Sequence, residues 1–117
     1  MKYLKAISAT GSEENTISFD FPNGTEVKQI VISTRGEGVT FDYEVGKLIG
    51  TEEIDSIDFS ENEEIRTVLY ASGSGVADTL ILQFAPGERI PVDMNDEFIV
   101  TVIPSDNCYV VVEVITI

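Results

Sequence analysis

Asp93-Met94-Asn95-Asp96-Glu97 packs four oxygen-bearing side chains into a short span. Hard oxygen donors at that density suit calcium, which takes about six to eight of them. A second oxygen-rich stretch, residues 52–64, holds Glu52, Glu53, Asp55, Asp58, Glu61, Glu63 and Glu64 and no basic residue. Neither stretch supplies a complete ligand set. Counted from Asp93, the glycine that a calcium-binding EF-hand loop needs at its sixth position is Phe98, and the glutamate needed at its twelfth is Pro104. The first stretch therefore reads as a polar turn that delivers Phe98 into a strand. The second reads as a solvated acidic edge, where like charges stop a sheet from pairing with a stray chain. No metal or other cofactor is expected.

Other chemistries find less support. The chain has no histidine, and so lacks the side chain most used as general base, nucleophile activator and metal ligand. No two carboxylates stand out as a glycosidase-like pair, and there is no tryptophan to floor a sugar subsite. Gly73-Ser74-Gly75 is not a dinucleotide fingerprint, because the third glycine would fall at Asp78. Residues 72–78 read instead as a small-residue loop, mobile or close to another backbone. Cys108 is the only cysteine, so no internal disulfide forms. Asp106 nearby is the wrong charge to activate its thiol. No catalytic, cofactor-binding or metal-binding residue is assigned, and the chain is expected not to be an enzyme.

Charge narrows the partners. With 21 acidic and 7 basic residues the net charge is −14, which opposes the counterion release that drives binding to nucleic acid. The seven cations (Lys2, Lys5, Lys28, Arg35, Lys47, Arg66 and Arg89) are scattered, so an anionic membrane surface is disfavoured too. Met1-Lys2-Tyr3-Leu4-Lys5 does not open a secretory signal, and no apolar run reaches the ~20 residues that span a bilayer. A cytoplasmic protein is expected, or a virion protein if its source is viral.

The elements that would position any site are strands. Ile17, Phe19 and Phe21 alternate with polar residues, as do Val39, Phe41, Tyr43 and Val45, the pattern of half-buried strands. Further strands are expected near 3–10, 27–34, 54–59, 64–71, 79–85, 97–103 and 108–117. A weak helical pattern covers 47–57, flanked and interrupted by Gly46 and Gly50. Pro22-Asn23-Gly24 is expected to close a hairpin between 16–21 and 27–34, and Pro86-Gly87 to form a type II turn. Arg35-Gly36-Glu37-Gly38 and Pro104-Ser105-Asp106-Asn107 mark further reversals. Turns recurring about every ten residues predict one all-β domain over 1–117, an antiparallel β-sandwich, jelly-roll-like, with eight or nine short strands. Phe19, Phe21, Phe41 and Tyr43 fall in phase with its core, leaving Tyr3, Tyr70 and Tyr109 as the rings that could be exposed.

Four segments do not alternate: Ile30-Val31-Ile32, Leu80-Ile81-Leu82, Phe98-Ile99-Val100 and Val110-Val111-Val112. A sandwich leaves one face of each sheet to water, so strands apolar on both faces need further cover. In 109–117 neither face is polar throughout, which predicts a central or interface strand. These features predict a structural protein that assembles with other subunits, as a homo-oligomer and most simply a trimer. Segment 84–102, through its Pro86-Gly87, Ile90-Pro91 and Asp96-Glu97-Phe98, resembles the decoration and head-accessory β-domains of tailed bacteriophages. That resemblance implies a capsid lattice as partner and carries no catalytic residue. The rival expectation is a carbohydrate- or calcium-dependent binding module on the same sandwich.

Overall fold

In the computed structural model, which describes residues 1–48, 67–76, 79–93 and 96–117, alternation of apolar and polar side chains becomes nine strands. These are β1 (Lys2–Ala9), β2 (Asn15–Phe19), β3 (Thr25–Arg35), β4 (Thr40–Leu48), β5 (Thr67–Val76), β6 (Thr79–Gln83), β7 (Ile90–Val92), β8 (Glu97–Pro104) and β9 (Cys108–Thr116). No helix occurs among the described residues. The strand expected at 54–59 and most of the helical pattern at 47–57 lie outside them; Lys47 and Leu48 belong to β4.

The pairing is nested. β1 pairs with β9, β2 with β8, β3 with β6 and β4 with β5, all antiparallel. The chain is thus one long ribbon whose first half meets its second half in reverse order. Rolling the ribbon up adds the β3–β9 and β4–β8 pairs. Two sheets result, β1-β9-β3-β6 and β2-β8-β4-β5, with β7 on the edge of β3 beyond β6. This is the jelly-roll order, a β-sandwich of two antiparallel sheets. Its first and last strands are neighbours, and β9 lies between β1 and β3 in the middle of its sheet, as the apolar character of both its faces predicts.

Between the sheets, Val27, Ile30, Ile32, Val110, Val112 and Val114 face Ile17, Phe19, Phe41, Val45, Phe98, Val100 and Val102, all buried. Tyr3 meets Phe21 edge-on at 4.7 Å, and Phe21 lies 5.8 Å from Phe19 and 5.7 Å from Phe98. Offset and edge-to-face rings of this kind add to the burial energy. The four phase-matched aromatics of the sequence are all in this core.

Three expectations are corrected by the pairing. The Pro22-Asn23-Gly24 turn forms, with Gly24 at φ +80° and Thr25 N–H donating to Pro22 O over 3.3 Å. It does not close a hairpin, however: β2 and β3 lie in different sheets, so the turn is a corner. A turn sequence fixes where the chain bends and leaves open whether the next strand pairs or crosses. Pro86-Gly87 does occupy the centre of a turn, closed by Glu88 N–H donating to Ala85 O over 2.7 Å. Gly87 is not among the positive-φ glycines, and a type II turn requires positive φ there.

The third correction concerns residues 72–78, of which 72–76 are strand and not loop. Gly73 and Gly75 pair with Tyr43 and Phe41, and the two rings lie over the glycine backbone. A Cβ at Gly75 would stand 2.6 Å from Phe41 Cζ, and one at Gly73 would stand 2.8 Å from the Tyr43 hydroxyl oxygen. Glycine here is room for core aromatics. Gly75→Ala should therefore lower the unfolding free energy by about 1–3 kcal/mol through overpacking, despite the entropic gain an alanine normally brings. Thermal unfolding would read this as a Tm about 4–12 °C lower. An unchanged or raised Tm would mean the ring can move aside.

Candidate functional surface

The two outer faces of the sandwich differ in kind. On β8, β4 and β5 the outward positions include Glu97, Thr101, Asp42, Glu44, Ser72 and Ser74, as the register dictates. Ser74 Oγ–H donates to Asp42 Oδ1 at 2.5 Å, and Thr16 and Thr101 hydroxyls meet across the β2–β8 pair at 3.2 Å. This face carries acids and hydroxyls, with half-buried Ile99 and Ile103 and exposed Leu69 among them. An open groove of about 500 Å³ borders it, lined by Thr40, Phe41, Asp42, Ser74, Gly75, Thr79 and Leu80.

The opposite face carries an apolar stripe bordered by Lys2, Gln29, Gln83 and Arg35. Register places Leu4, Glu113, Val31 and Ile81 in one cross-strand row of β1-β9-β3-β6, and Ala6, Val111, Ser33 and Thr79 in the next. Ile115 and Tyr109 flank those rows on β9. Leu4 is 65% exposed, Ile81 55% and Tyr109 64%. Glu113 and, towards one end of β3, Glu26 are the acids at the outward positions of these four strands, and Lys2 Nζ lies 3.6 Å from Glu113. In a chain of net charge −14, a sheet face this poor in acid is where a second protein surface meets least repulsion. Three of the four non-alternating segments of the sequence, those centred on Val31, Ile81 and Val111, meet on it. The fourth turns Ile99 to the other face, where it is half-buried.

The buried polar groups serve the fold. Lys47 points inward at the end of β4, donating from Nζ to Pro91 O at 2.7 Å and to Asp96 Oδ2 at 3.1 Å. Both side chains of this ion pair are about nine-tenths buried, and the Tyr70 ring centroid lies 5.9 Å from Nζ. Asp96 Oδ2 also accepts from Asp93 N–H at 3.0 Å, while Asp96 N–H donates to Asp93 O at 3.0 Å. Asp93 and Asp96 thus bond to each other twice, and the Asp96 carboxylate is turned inward to a lysine. Sequence reading counts Lys47 only as one of the scattered cations, and no local signal marks its burial, since its partners are more than forty residues away.

The remaining candidates separate. Residues 52–64 and Asn95 lie outside the described residues, and among the described residues no three acidic or cysteine side chains converge to hold a metal. Cys108 is half-buried, and burial first, the Asp106 carboxylate second, pushes its thiol pKa up, away from the reactive thiolate. Of the three candidate exposed rings, Tyr3 packs on Phe21 and Tyr70 is half-buried, leaving Tyr109 exposed. They form no common platform.

No family model matches this chain, and no curated protein matches it. Among solved structures, one described as "Crystal structure of PirA" aligns with 98% of this chain and 94% of that one, at 16% identity and a TM-score of 0.47.

Proposed function

We propose that this chain is a non-enzymatic structural subunit that self-associates through the outer face of its β1-β9-β3-β6 sheet. The observation that carries this reading is the concentration of Leu4, Val31, Ile81, Val111 and Ile115 on a face whose acids are Glu113 and, at its end, Glu26, in a protein otherwise dominated by carboxylates. The occupant is a second copy, because the face offers that copy the same apolar rows, bordered by charges of both signs (Lys2, Arg35, Glu26 and Glu113) that do not sum to the strong repulsion of the rest of the chain. Assembly in this way leaves the acidic face outward, where it keeps the complex soluble. Attachment of such an oligomer to a capsid lattice, as in the phage head-accessory proteins that segment 84–102 resembles, is the finer form of the proposal.

Sedimentation equilibrium at tens of micromolar should return a dimer or trimer mass. Leu4→Glu with Ile81→Glu should shift it to monomer without changing the far-ultraviolet spectrum, since both side chains are exposed in the single chain. A monomeric parent protein, or an oligomer indifferent to both charges, would overturn the reading.

A further inference from the structure

The edge of the apolar sheet is broken. β6 pairs with Gln29–Ser33 of β3 and β7 with Thr25–Val27, so the edge strand leaves and returns while the chain loops out through 84–89. The register of β3 against β9 slips at the same place, between Val27 and Gln29, making Lys28 the bulged residue. Bulges re-aim side chains and gather beside sites. Here the bulge and the loop enclose an open groove of about 460 Å³ lined by Lys28, Gln29, Gln83, Phe84, Ala85, Glu88 and Arg89.

Two of the seven cations of the chain thus line one groove. Neither has a carboxylate within ion-pair distance among the described residues, where the ion pairs are Lys2–Glu113 and Lys47–Asp96. Arg89 Nε is buried and has no hydrogen-bond partner among those residues, an arrangement that costs free energy as it stands. Across the groove Gln83 Nε2 donates to Gln29 Oε1 over a long 3.4 Å. That contact leaves most of the hydrogen-bonding capacity of both amides unused.

We propose that this groove binds an acidic saccharide of monosaccharide size through its carboxylate. The guanidinium fork of Arg89 matches a carboxylate in two parallel hydrogen bonds, and Lys28 adds a second positive charge. Glu88 on the lining reduces the local charge to about that of one cation, so charge alone does not favour a sugar acid over inorganic phosphate; the preference comes from the planar fit of a carboxylate to Arg89 and from contacts that only the sugar ring can make. Gln29 and Gln83 pair with hydroxyls, and half-buried Phe84 offers an apolar wall to the sugar's C–H face. The groove adjoins the proposed self-association face, since Gln29 pairs with both Ile115 and Gln83, but its binding is read by ligand titration and self-association by mass, so either can fail alone.

The test is a titration of the ¹⁵N-labelled full chain with D-glucuronate, D-glucose and inorganic phosphate, followed by NMR. Glucuronate should shift the Arg89 Nε–H and the Gln29 and Gln83 side-chain amides saturably, with Kd of about 1 mM. Glucose should bind at least tenfold more weakly, as should phosphate. Arg89→Gln should weaken glucuronate binding at least tenfold. Lys28→Gln, at an exposed position, should weaken it several-fold and stands in if the Arg89 variant fails to fold. No saturable shift by ~20 mM glucuronate, equal binding of phosphate or glucose, or no loss of binding in a folded variant would each overturn the proposal.

Discussion

A chain lacking residues 110–117 is expected not to fold. Those residues form nearly all of β9, the strand that bridges β1 and β3, so their loss divides one sheet into an isolated edge strand and a remnant. Val110, Val112 and Val114 are all fully buried, and burial of each contributes about 1.5–3 kcal/mol. The three valines alone therefore account for several kcal/mol, against a total domain stability of about 5–15 kcal/mol. The ladder hydrogen bonds of two strand pairs disappear with them. Far-ultraviolet circular dichroism and solubility after expression would check this. A soluble truncated protein that kept its strand spectrum would show that β3 and β1 can close the sheet between themselves.

Lys47→Met should destabilise the protein by about 3–5 kcal/mol, as breaking a buried ion pair from one side does. Methionine keeps the length of the side chain and removes the charge that Asp96 faces. Asp96 would retain the Asp93 N–H bond, while Pro91 O would lose a donor at 2.7 Å. Urea unfolding would report the loss as a lower midpoint. Adding Asp96→Leu to Lys47→Met should recover most of it, since two well-packed apolar groups can replace a buried pair without net cost. The effect should also be insensitive to salt, because buried pairs are little screened. A loss below about 1 kcal/mol would place this pair with exposed ones.

Much of this fold is legible in the order of its residues, and the limits of that legibility are physical. Alternation at Ile17, Phe19 and Phe21 gives a half-buried strand directly, and the lack of it in 109–117 marks a central one. The corner at Pro22-Asn23-Gly24 looks like a hairpin because turn chemistry is local while the choice of sheet is not. Gly73-Ser74-Gly75 looks like a loop because glycine has poor strand propensity. Its period of two matches Phe41 and Tyr43, and that shared spacing is the signal that could have revealed a strand beneath two rings. β7 is too short to announce itself, and its Pro91 is tolerated because the strand lies on an edge. The apolar face is foreseen in kind by the non-alternating segments. That Val31, Ile81 and Val111 gather on one face depends on a pairing order that no single segment contains. The groove at Lys28 and Arg89 is less visible still, since it exists only where a bulge in one strand meets a break in its neighbour.

The nested ribbon also sets the timing of folding. Lys2 pairs with Ile115 and Asn15 with Val102, so β1 and β2 leave the ribosome long before their partners are synthesised. Only the β4–β5 and β3–β6 pairs, nearer the middle of the chain, can meet early. Pairings so distant in sequence impose a high contact order, which slows folding to the millisecond-to-second range. Until β8 and β9 arrive, Ile30 and Ile32 can face only the β4–β5 pair, and β2, which carries Ile17 and Phe19, has no strand to pair with. The nascent chain therefore spends most of its synthesis as an incomplete sandwich with apolar strands partly open to solvent. The acidic residues spread along it provide mutual repulsion between neighbouring chains during that interval, a role in biogenesis separate from any in the finished fold.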